Sequence, residues 1–174
     1  PHPHPQAAFE GAIGESFISM ESPERHRIYR KLATPAFRSR AVASYENQEL
    51  GALARELVAR LGDRGEFDLM ADFAAQFPYL VITRLLGLPR EREDAFHEWA
   101  LALLQFRDDP VAAKKAGDEL TAVLAPVVAA RRIRPENDVI SELVAARVDG
   151  RGLTDDEVYS HVRLLFPTGG ETTH

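Results

Sequence analysis

The stretch Thr154-Asp-Asp-Glu-Val-Tyr-Ser-His-Val-Arg-Leu-Leu-Phe-Pro-Thr-Gly-Gly-Glu-Thr-Thr-His174 begins with the features of a stable helix. Thr154 is a favourable N-cap, and Glu157 three residues later completes a capping box. Acidic residues fill the first turn, where negative charge interacts favourably with the helix dipole. Apolar residues then recur at helical spacing, at Val158, Val162, Leu164, Leu165 and Phe166. The pattern predicts a helix with one buried face.

The second half of this stretch contains residues that weaken a helix. Pro167 cannot donate a backbone hydrogen bond to the carbonyl of Arg163, which costs about 3 kcal/mol in a helix interior. Gly169 and Gly170 each cost about 1 kcal/mol relative to alanine. In one interpretation the helix ends at Phe166 and the glycines form a loop. In the other, the helix continues past a local opening, and the glycines let a large group approach the backbone.

The composition is that of an ordinary globular domain. The chain has 174 residues, of which 45% are hydrophobic and 28% are charged, enough for one domain with a sizeable core. Its net charge of −6 argues against nucleic acid as a partner. No apolar run approaches the ~20 residues of a membrane span and no signal peptide is visible, so we expect a cytoplasmic protein without membrane contact. The chain contains no cysteine, and no metal site is predicted within it.

The rest of the chain is interpreted as helices joined by short connections. Residues 1–22 are interpreted as a leader and loop, with one short helix at most. A helix over 23–32 is predicted from Ser22 as N-cap, Pro23 at the first position and Glu24 in the first turn. Apolar residues at helical spacing predict further helices over 39–61, 67–86, 90–106, 111–132 and 138–148. Val58 is placed on the buried face of the helix over 39–61, and the helix over 67–86 is either continuous or divided near Pro78. No alternating strand pattern and no repeat occurs, so the predicted fold class is all-α, a multi-helix array.

Residues 21–40 form a basic segment on an acidic chain. Six arginine and lysine residues stand there against two glutamates, a local charge of +4. His26 and Arg30 are four residues apart, so they share one face of the predicted helix. One interpretation is a solvated basic face. The other is a docking surface for anionic groups, on which Arg30 can bind a carboxylate through two hydrogen bonds.

Four segments, in the right order, resemble one family. Residues 168–173, Thr-Gly-Gly-Glu-Thr-Thr, resemble the central-helix motif Ala/Gly-Gly-x-Asp/Glu-Thr-Thr/Ser of the cytochrome P-450 monooxygenases, although Thr168 stands where alanine or glycine is usual. Residues 23–37 resemble the Pro-Glu-His-x-x-x-Arg segment of the soluble bacterial members, with Arg25 as one additional residue. Residues 67–89 and 138–154 resemble the segments Asp-Leu-Val…Val-Ile-x-x-Leu-Leu-Gly-Val-Pro and Asp-Asp-Leu-Leu-Ser-x-Leu-Val.

The resemblance implies a fold and roles for individual residues. Residues 23–174 would be the helical part of the cytochrome P-450 fold, truncated after the start of the oxygen-binding motif. His26 and Arg30 would bind the propionates of haem b, and Gly169 and Gly170 would let the helix pass close over the porphyrin. Glu171 and Thr172 would act as the catalytic pair that relays protons through water. Residues expected to contact substrate are Phe17, Ile18, Met20, Leu165 and Phe166, and core packing explains the last two almost as well.

The resemblance also implies an activity and its partners. The protein would be a haem-dependent monooxygenase that inserts one atom of O2 into a small hydrophobic organic substrate. A ferredoxin-type electron donor would dock on the basic helix around Arg25, Arg27 and Lys31.

The resemblance covers the chain only in part. The family's E-x-x-R helix and cysteine ligand have no counterpart here, so we expect an incomplete chain that is inactive alone. Its uncovered apolar faces would lead it to self-associate or to pair with a missing C-terminal half. The alternative is a non-catalytic, all-helical interaction domain that pairs with a partner chain.

Overall fold

The computed structural model describes residues 5–16, 22–37, 39–62 and 65–171. The α-helices of these residues are α1 (Pro5–Ala12), α2 (Pro23–Ala33), α3 (Ser39–Leu61), α4 (Gln76–Leu86), α5 (Glu93–Leu104), α6 (Pro110–Ile133), α7 (Val139–Ala145) and α8 (Asp155–Glu171). Short 3-10 helices lie at Thr34–Phe37 and Arg90–Arg92, and a π-helical turn lies at Met70–Ala74. Across the described ranges no strand forms, and a single antiparallel bridge joins Val148 and Arg151. The all-α prediction is confirmed.

Short polar residues begin several helices where the sequence indicates. The Ser22 hydroxyl accepts a hydrogen bond from the backbone N–H of Arg25 at 3.4 Å, at the start of α2. The Asp138 carboxylate accepts one from the backbone N–H of Ser141 at 2.7 Å, at the start of α7. At the other end of α4, Gly87 adopts the left-handed conformation with φ of 81°, which a glycine reaches without strain.

Two boundaries differ from the prediction for reasons that the structure shows. The division within residues 67–86 falls at Ala75, between the π-helical turn and α4, and not near Pro78. Pro78 lies in the first turn of α4, where the backbone N–H groups have no partner in the helix and a missing one costs little. α7 ends at Ala145, because the chain then turns back on itself to form the bridge between Val148 and Arg151. The one short helix allowed within residues 1–22 is α1.

The placement of Val58 on the buried face of α3 is wrong. Val58 is 57% exposed, whereas Leu53 and Leu57 are buried. Leu53 and Leu57 lie four residues apart and form one narrow stripe, which packs on Leu80 of α4. Val58 follows Leu57 by one residue, a turn of about 100° around the helix, and so points away from that stripe.

The main core lies around α8, which packs against α4, α5, α6 and α7. Its fully buried residues Val158, Val162 and Phe166 belong to the same apolar cluster as residues from these four helices. α1 packs on α6 and contributes Ala12 and Ile13 to this cluster. None of the helices in the described ranges combines the length and the apolar character needed to cross a membrane.

α8 runs without interruption through Pro167 and both glycines. The interpretation that ends the helix at Phe166 is therefore wrong, and the continuation of the helix is confirmed, whereas the local opening and the approach of a large group to the glycines stay predictions. Thr168 donates from Oγ1 to the carbonyl of Leu164 at 2.7 Å, next to the position where proline removes a backbone donor. Tertiary packing compensates for the poor helix formers, because this turn is buried against α4 and α5.

Candidate functional site

His26 and Arg30 line one groove of about 690 Å³, here called the basic groove. Its described lining consists of His26, Arg27, Arg30, Lys31, Thr34, Pro35, Arg147 and Val148. One wall is α2 with the 3-10 helix that follows it, and the other is the segment after α7. Five of these eight residues carry basic side chains, and no carboxylate belongs to the described lining. The basic segment of the sequence therefore forms a cationic concave surface.

The positive charge of the basic groove is not neutralised by the part of the protein that the structure describes. No ion pair within the described ranges involves Arg27, Arg30 or Lys31. Arg147 donates from Nη1 to the carbonyls of Val144 at 2.9 Å and Ala146 at 2.7 Å, which orients its guanidinium without cancelling its charge. Guanidinium groups without a partner in a concave surface bind carboxylates and phosphates well. The groove thus fits a ligand with two carboxylates, such as the propionates of haem.

Arg25 behaves differently from the other basic residues of α2. It forms an ion pair with Glu15 at 2.6 Å, and its guanidinium lies 5.9 Å from the centre of the Tyr29 ring. The hydrogen bonds to Tyr29 and Glu15 raise the pKa of Arg25 above its ordinary value. Its charge is therefore partly compensated, and Arg27 and Lys31 contribute more to the potential of the groove.

A polar network, partly buried, joins α2 to the start of α8. Tyr29 is fully buried, and its hydroxyl donates a hydrogen bond to Oε1 of Glu157. Nη2 of Arg151 donates to both of these groups, at 3.0 Å to the tyrosine oxygen and at 2.6 Å to Glu157 Oε1. Oε2 of Glu157 accepts from the backbone N–H of Thr154 at 2.8 Å, which confirms the capping box. We call Tyr29, Arg151 and Glu157 the clamp.

The charge of Glu157 is stabilised by its partners. Burial raises the pKa of Glu157, but hydrogen bonds from Tyr29 and Thr154 and the charge of Arg151 outweigh burial and lower it below its ordinary value. The side chain is 14% exposed, so its oxygens are mostly shielded from water. Glu157 is therefore a carboxylate at neutral pH, and it serves both the clamp and the N-cap of α8.

His161 packs against the Tyr29 ring of the clamp. Its ring stacks on Tyr29, with centroids 5.6 Å apart and planes at 15°, and its Nδ1 lies 2.6 Å from the carbonyl oxygen of Glu157. The side chain is fully buried, and burial lowers its pKa below the ordinary value for histidine. A neutral His161 that donates from Nδ1 satisfies this geometry.

Gly169 and Gly170 allow α8 to approach α4 closely. A β-carbon on Gly170 would lie 2.2 Å from Cε1 of Tyr79, and one on Gly169 would lie 2.9 Å from Cγ1 of Ile82. Side chains of α4 therefore occupy the space that a side chain at either glycine would need. The described lining of the basic groove includes no residue of α8. Close approach of the glycines to a porphyrin stays a prediction.

The remaining predicted residues differ in what can be said of them. Glu171 is the last residue of α8, and Thr172, Phe17, Ile18 and Met20 lie outside the described residues. Leu165 is half-buried. Phe166 is fully buried with its ring edge-on to Phe96, at a centroid distance of 5.7 Å, which favours the core interpretation for this residue.

Sequence reasoning missed Tyr29, Arg147 and Arg151. The sequence does single out Tyr29, because it is an aromatic residue between His26 and Arg30, which are both expected to bind haem. No feature of the sequence singles out Arg147 and Arg151, because they flank a turn and lie more than a hundred residues from α2. Only the packing of α7 beside α2 brings Arg147 to the groove and Arg151 to the Tyr29 hydroxyl.

Comparison with known proteins gives the class. No protein-family model matches the chain. The cyclomarin C epoxidase CymV of Salinispora arenicola is 37% identical over 171 residues, which cover 94% of this chain and 43% of the relative. The erythromycin C-12 hydroxylase of Saccharopolyspora erythraea is 34% identical over 177 residues, covering 97% and 44%.

Solved structures give the same class. A cytochrome P-450 from Chondromyces apiculatus superimposes with a TM-score of 0.76 at 31% identity, covering 92% of this chain and 39% of that one. One from Bacillus megaterium in complex with testosterone gives a TM-score of 0.80 at 26% identity, covering 96% and 48%. The chain belongs to the cytochrome P-450 superfamily. It spans less than half the length of the curated relatives it matches.

Proposed function

We propose that the protein carrying this chain is a haem-dependent monooxygenase, which inserts one atom of O2 into an organic substrate. The basic groove carries the proposal, because His26 and Arg30 line it together and no carboxylate belongs to its described lining. The similarity to an epoxidase and a hydroxylase supports this reaction class.

The chain's own residues fit the binding of the two haem carboxylates. Arg30 would bind a propionate through two parallel N–H···O bonds, and His26 would donate one from its ring. Arg27, Lys31 and Arg147 would raise the local potential and so favour the ionised propionates. When bound, haem b would supply the iron at which O2 is activated. The chain contains no cysteine and therefore supplies no thiolate for that iron.

Glu171 and Thr172 are proposed as the proton relay. α8 continues to Glu171, so the acid stands at the end of an unbroken helix that is anchored in the core. A carboxyl group followed by a hydroxyl can order water molecules and pass a proton along them. Under this proposal the two residues deliver protons during turnover.

The substrate and partners follow the resemblance. We propose a small hydrophobic substrate contacted by Phe17, Ile18, Met20 and Leu165, and a ferredoxin-type donor that docks near Arg27 and Lys31. The division at residue 22, the cytoplasmic location and pairing with a C-terminal half also remain proposals. Phe67, Leu69 and Met70 are 48%, 59% and 58% exposed, an apolar surface that supports pairing or self-association.

Replacement of Arg30 by alanine tests the proposal. Transfer of haem from the full-length protein to a haem-free acceptor is followed by absorbance, with Arg92→Ala as the matched control. Arg92 is an exposed arginine at the start of α5, so both variants lose the same charge. Arg30→Ala should release haem roughly tenfold faster or more, since a hydrogen bond to a charged group contributes about 1.5–3 kcal/mol. Equal release from the two variants would refute the groove as the haem site.

The interaction-domain alternative predicts a different result. A full-length protein of that kind would take up no haem, and it would form a stable complex through its exposed apolar residues. Absorbance in the haem region together with the mass of the particle in solution therefore separates the two proposals.

A further inference from the structure

The two walls of the basic groove come from distant parts of the chain. α2 and the following 3-10 helix form one wall, and Arg147 and Val148 form the other. Val148 is joined to Arg151 by two backbone hydrogen bonds of 2.9 Å each. Any contact that holds Arg151 against α2 therefore also holds the second wall at a set distance from the first.

The clamp makes that contact. Nη2 of Arg151 donates to the Tyr29 hydroxyl, and the guanidinium of Arg151 lies 5.1 Å from the centre of the Tyr29 ring. Glu157 accepts from both residues and is itself held in the first turn of α8 by Thr154. α2, the segment before α8 and the start of α8 thus meet at one tyrosine.

Tyr29 also determines which way His26 and Arg30 point. Residues follow each other at about 100° around an α-helix, so Tyr29 stands about 100° from Arg30 and about 60° from His26. The Tyr29 ring is fully buried and stacked on His161, and its hydroxyl is hydrogen-bonded. A rotation of α2 about its axis would break these contacts, and the two ligand residues would then face elsewhere.

We infer that Tyr29 is a positioning residue, which acts through Arg151 and Glu157 to set the width of the basic groove and the direction of His26 and Arg30. The inference rests on the proposed function, because the ligand of the groove is taken to be the two carboxylates of haem. Tyr29 itself touches neither carboxylate; it holds the groups that do.

The test compares Tyr29→Phe with Tyr159→Phe. Tyr29→Phe keeps the buried ring and removes only the hydroxyl that joins the clamp. Tyr159 lies on α8 with no hydroxyl hydrogen bond in the described ranges, so its replacement controls for loss of a phenol group. Release of haem and of haem dimethyl ester, which lacks the carboxylates, is measured for each full-length variant. Urea unfolding of the haem-free proteins is measured in parallel.

We expect Tyr29→Phe to accelerate release of haem several-fold over Tyr159→Phe and to leave release of the dimethyl ester unchanged. In the Arg30→Ala background the effect of Tyr29→Phe should shrink, because the group it positions is gone. Equal acceleration with both ligands would show that the hydroxyl only stabilises the fold, and this overturns the inference. Haem release that is insensitive to Arg30→Ala would instead overturn the proposed function. Sensitivity to Arg30→Ala without any effect of Tyr29→Phe would overturn the positioning role alone.

Discussion

Gly170→Ala tests whether the glycine pair of α8 exists for packing against α4. The added β-carbon would lie 2.2, 2.3 and 2.7 Å from Cε1, Cδ1 and Cζ of Tyr79, all well inside contact distance. The Tyr79 ring has little room to move, because the side chain is buried and its ring also contacts the ring of His97, with centroids 4.8 Å apart. Either α8 or the ring must therefore shift when the methyl group is added.

The expected loss of stability is the difference between two terms. Overpacking of a well-packed contact costs about 1–3 kcal/mol. Alanine in place of glycine in a helix interior returns roughly 0.8–1 kcal/mol. Separations of 2.2–2.7 Å place this contact in the upper part of the overpacking range, about 2–3 kcal/mol. We therefore expect a net loss of about 1–2 kcal/mol, which corresponds to a melting temperature lower by roughly 2–8 °C for a chain of this size.

Urea unfolding provides the assay, and two other glycines provide the controls. Gly11 lies in α1 with nothing within 4 Å of an added β-carbon, so Gly11→Ala should be neutral or stabilising. At Gly169 the obstructing atoms are Cγ1 and Cδ1 of Ile82, at 2.9 and 3.0 Å, and Cδ1 is the movable end of the side chain. Gly169→Ala should thus cost less than Gly170→Ala.

Tyr79→Leu replaces the ring that an added methyl group at residue 170 would meet. When it is combined with Gly170→Ala, it should therefore restore part of the lost free energy of unfolding. A Gly170→Ala protein as stable as the parent would show that α4 and α8 do not need this glycine to pack.

Two further predictions concern pH and oxygen use. Burial lowers the pKa of His161 in the folded protein below its ordinary value of 6.5. As the pH falls below about 6.5, His161 is therefore protonated in the unfolded chain before it is protonated in the folded protein. Stability should therefore decrease with falling pH in that window, by at most about 1.4 kcal/mol per pH unit for this group. The free energy of unfolding, measured in urea between pH 7 and pH 5, should change less with pH for His161→Gln than for the parent protein. An equal pH dependence would contradict the assignment of this effect to His161. Thr172→Ala in the full-length protein should consume O2 with less product formed per O2, whereas unchanged coupling would refute the relay.

Much of the helical architecture could be predicted because its signals are local. Ser22 before a proline, and Thr154 with Glu157, are short-range patterns that satisfy free backbone groups at helix starts, and both form as predicted. The pairing of His26 and Arg30 on one surface also follows from helical spacing alone, and the groove confirms it. These features need no knowledge of what packs against the helix.

Features that depend on a neighbouring element could not be predicted in this way. Periodicity placed Val58 inside, but the surface that packs on α3 is too narrow to cover it. The penalties of Pro167 and Gly170 favoured an ended helix by local rules, whereas α8 continues because its turns are buried against α4 and α5. Helix propensity is a weak term beside the burial of an apolar face.

By itself the sequence determined the all-α class, the family, the starts of α2, α7 and α8 and the shared face of His26 and Arg30, since each follows from short motifs, from their order along the chain or from helical spacing. The tertiary structure decided the clamp, in which Tyr29 meets Glu157 and Arg151 across more than 120 residues. It also decided against which helix the glycines of α8 allow close packing, because that depends on where the Tyr79 ring lies. Both are contacts between helices, and no local preference of the backbone encodes which helices become neighbours.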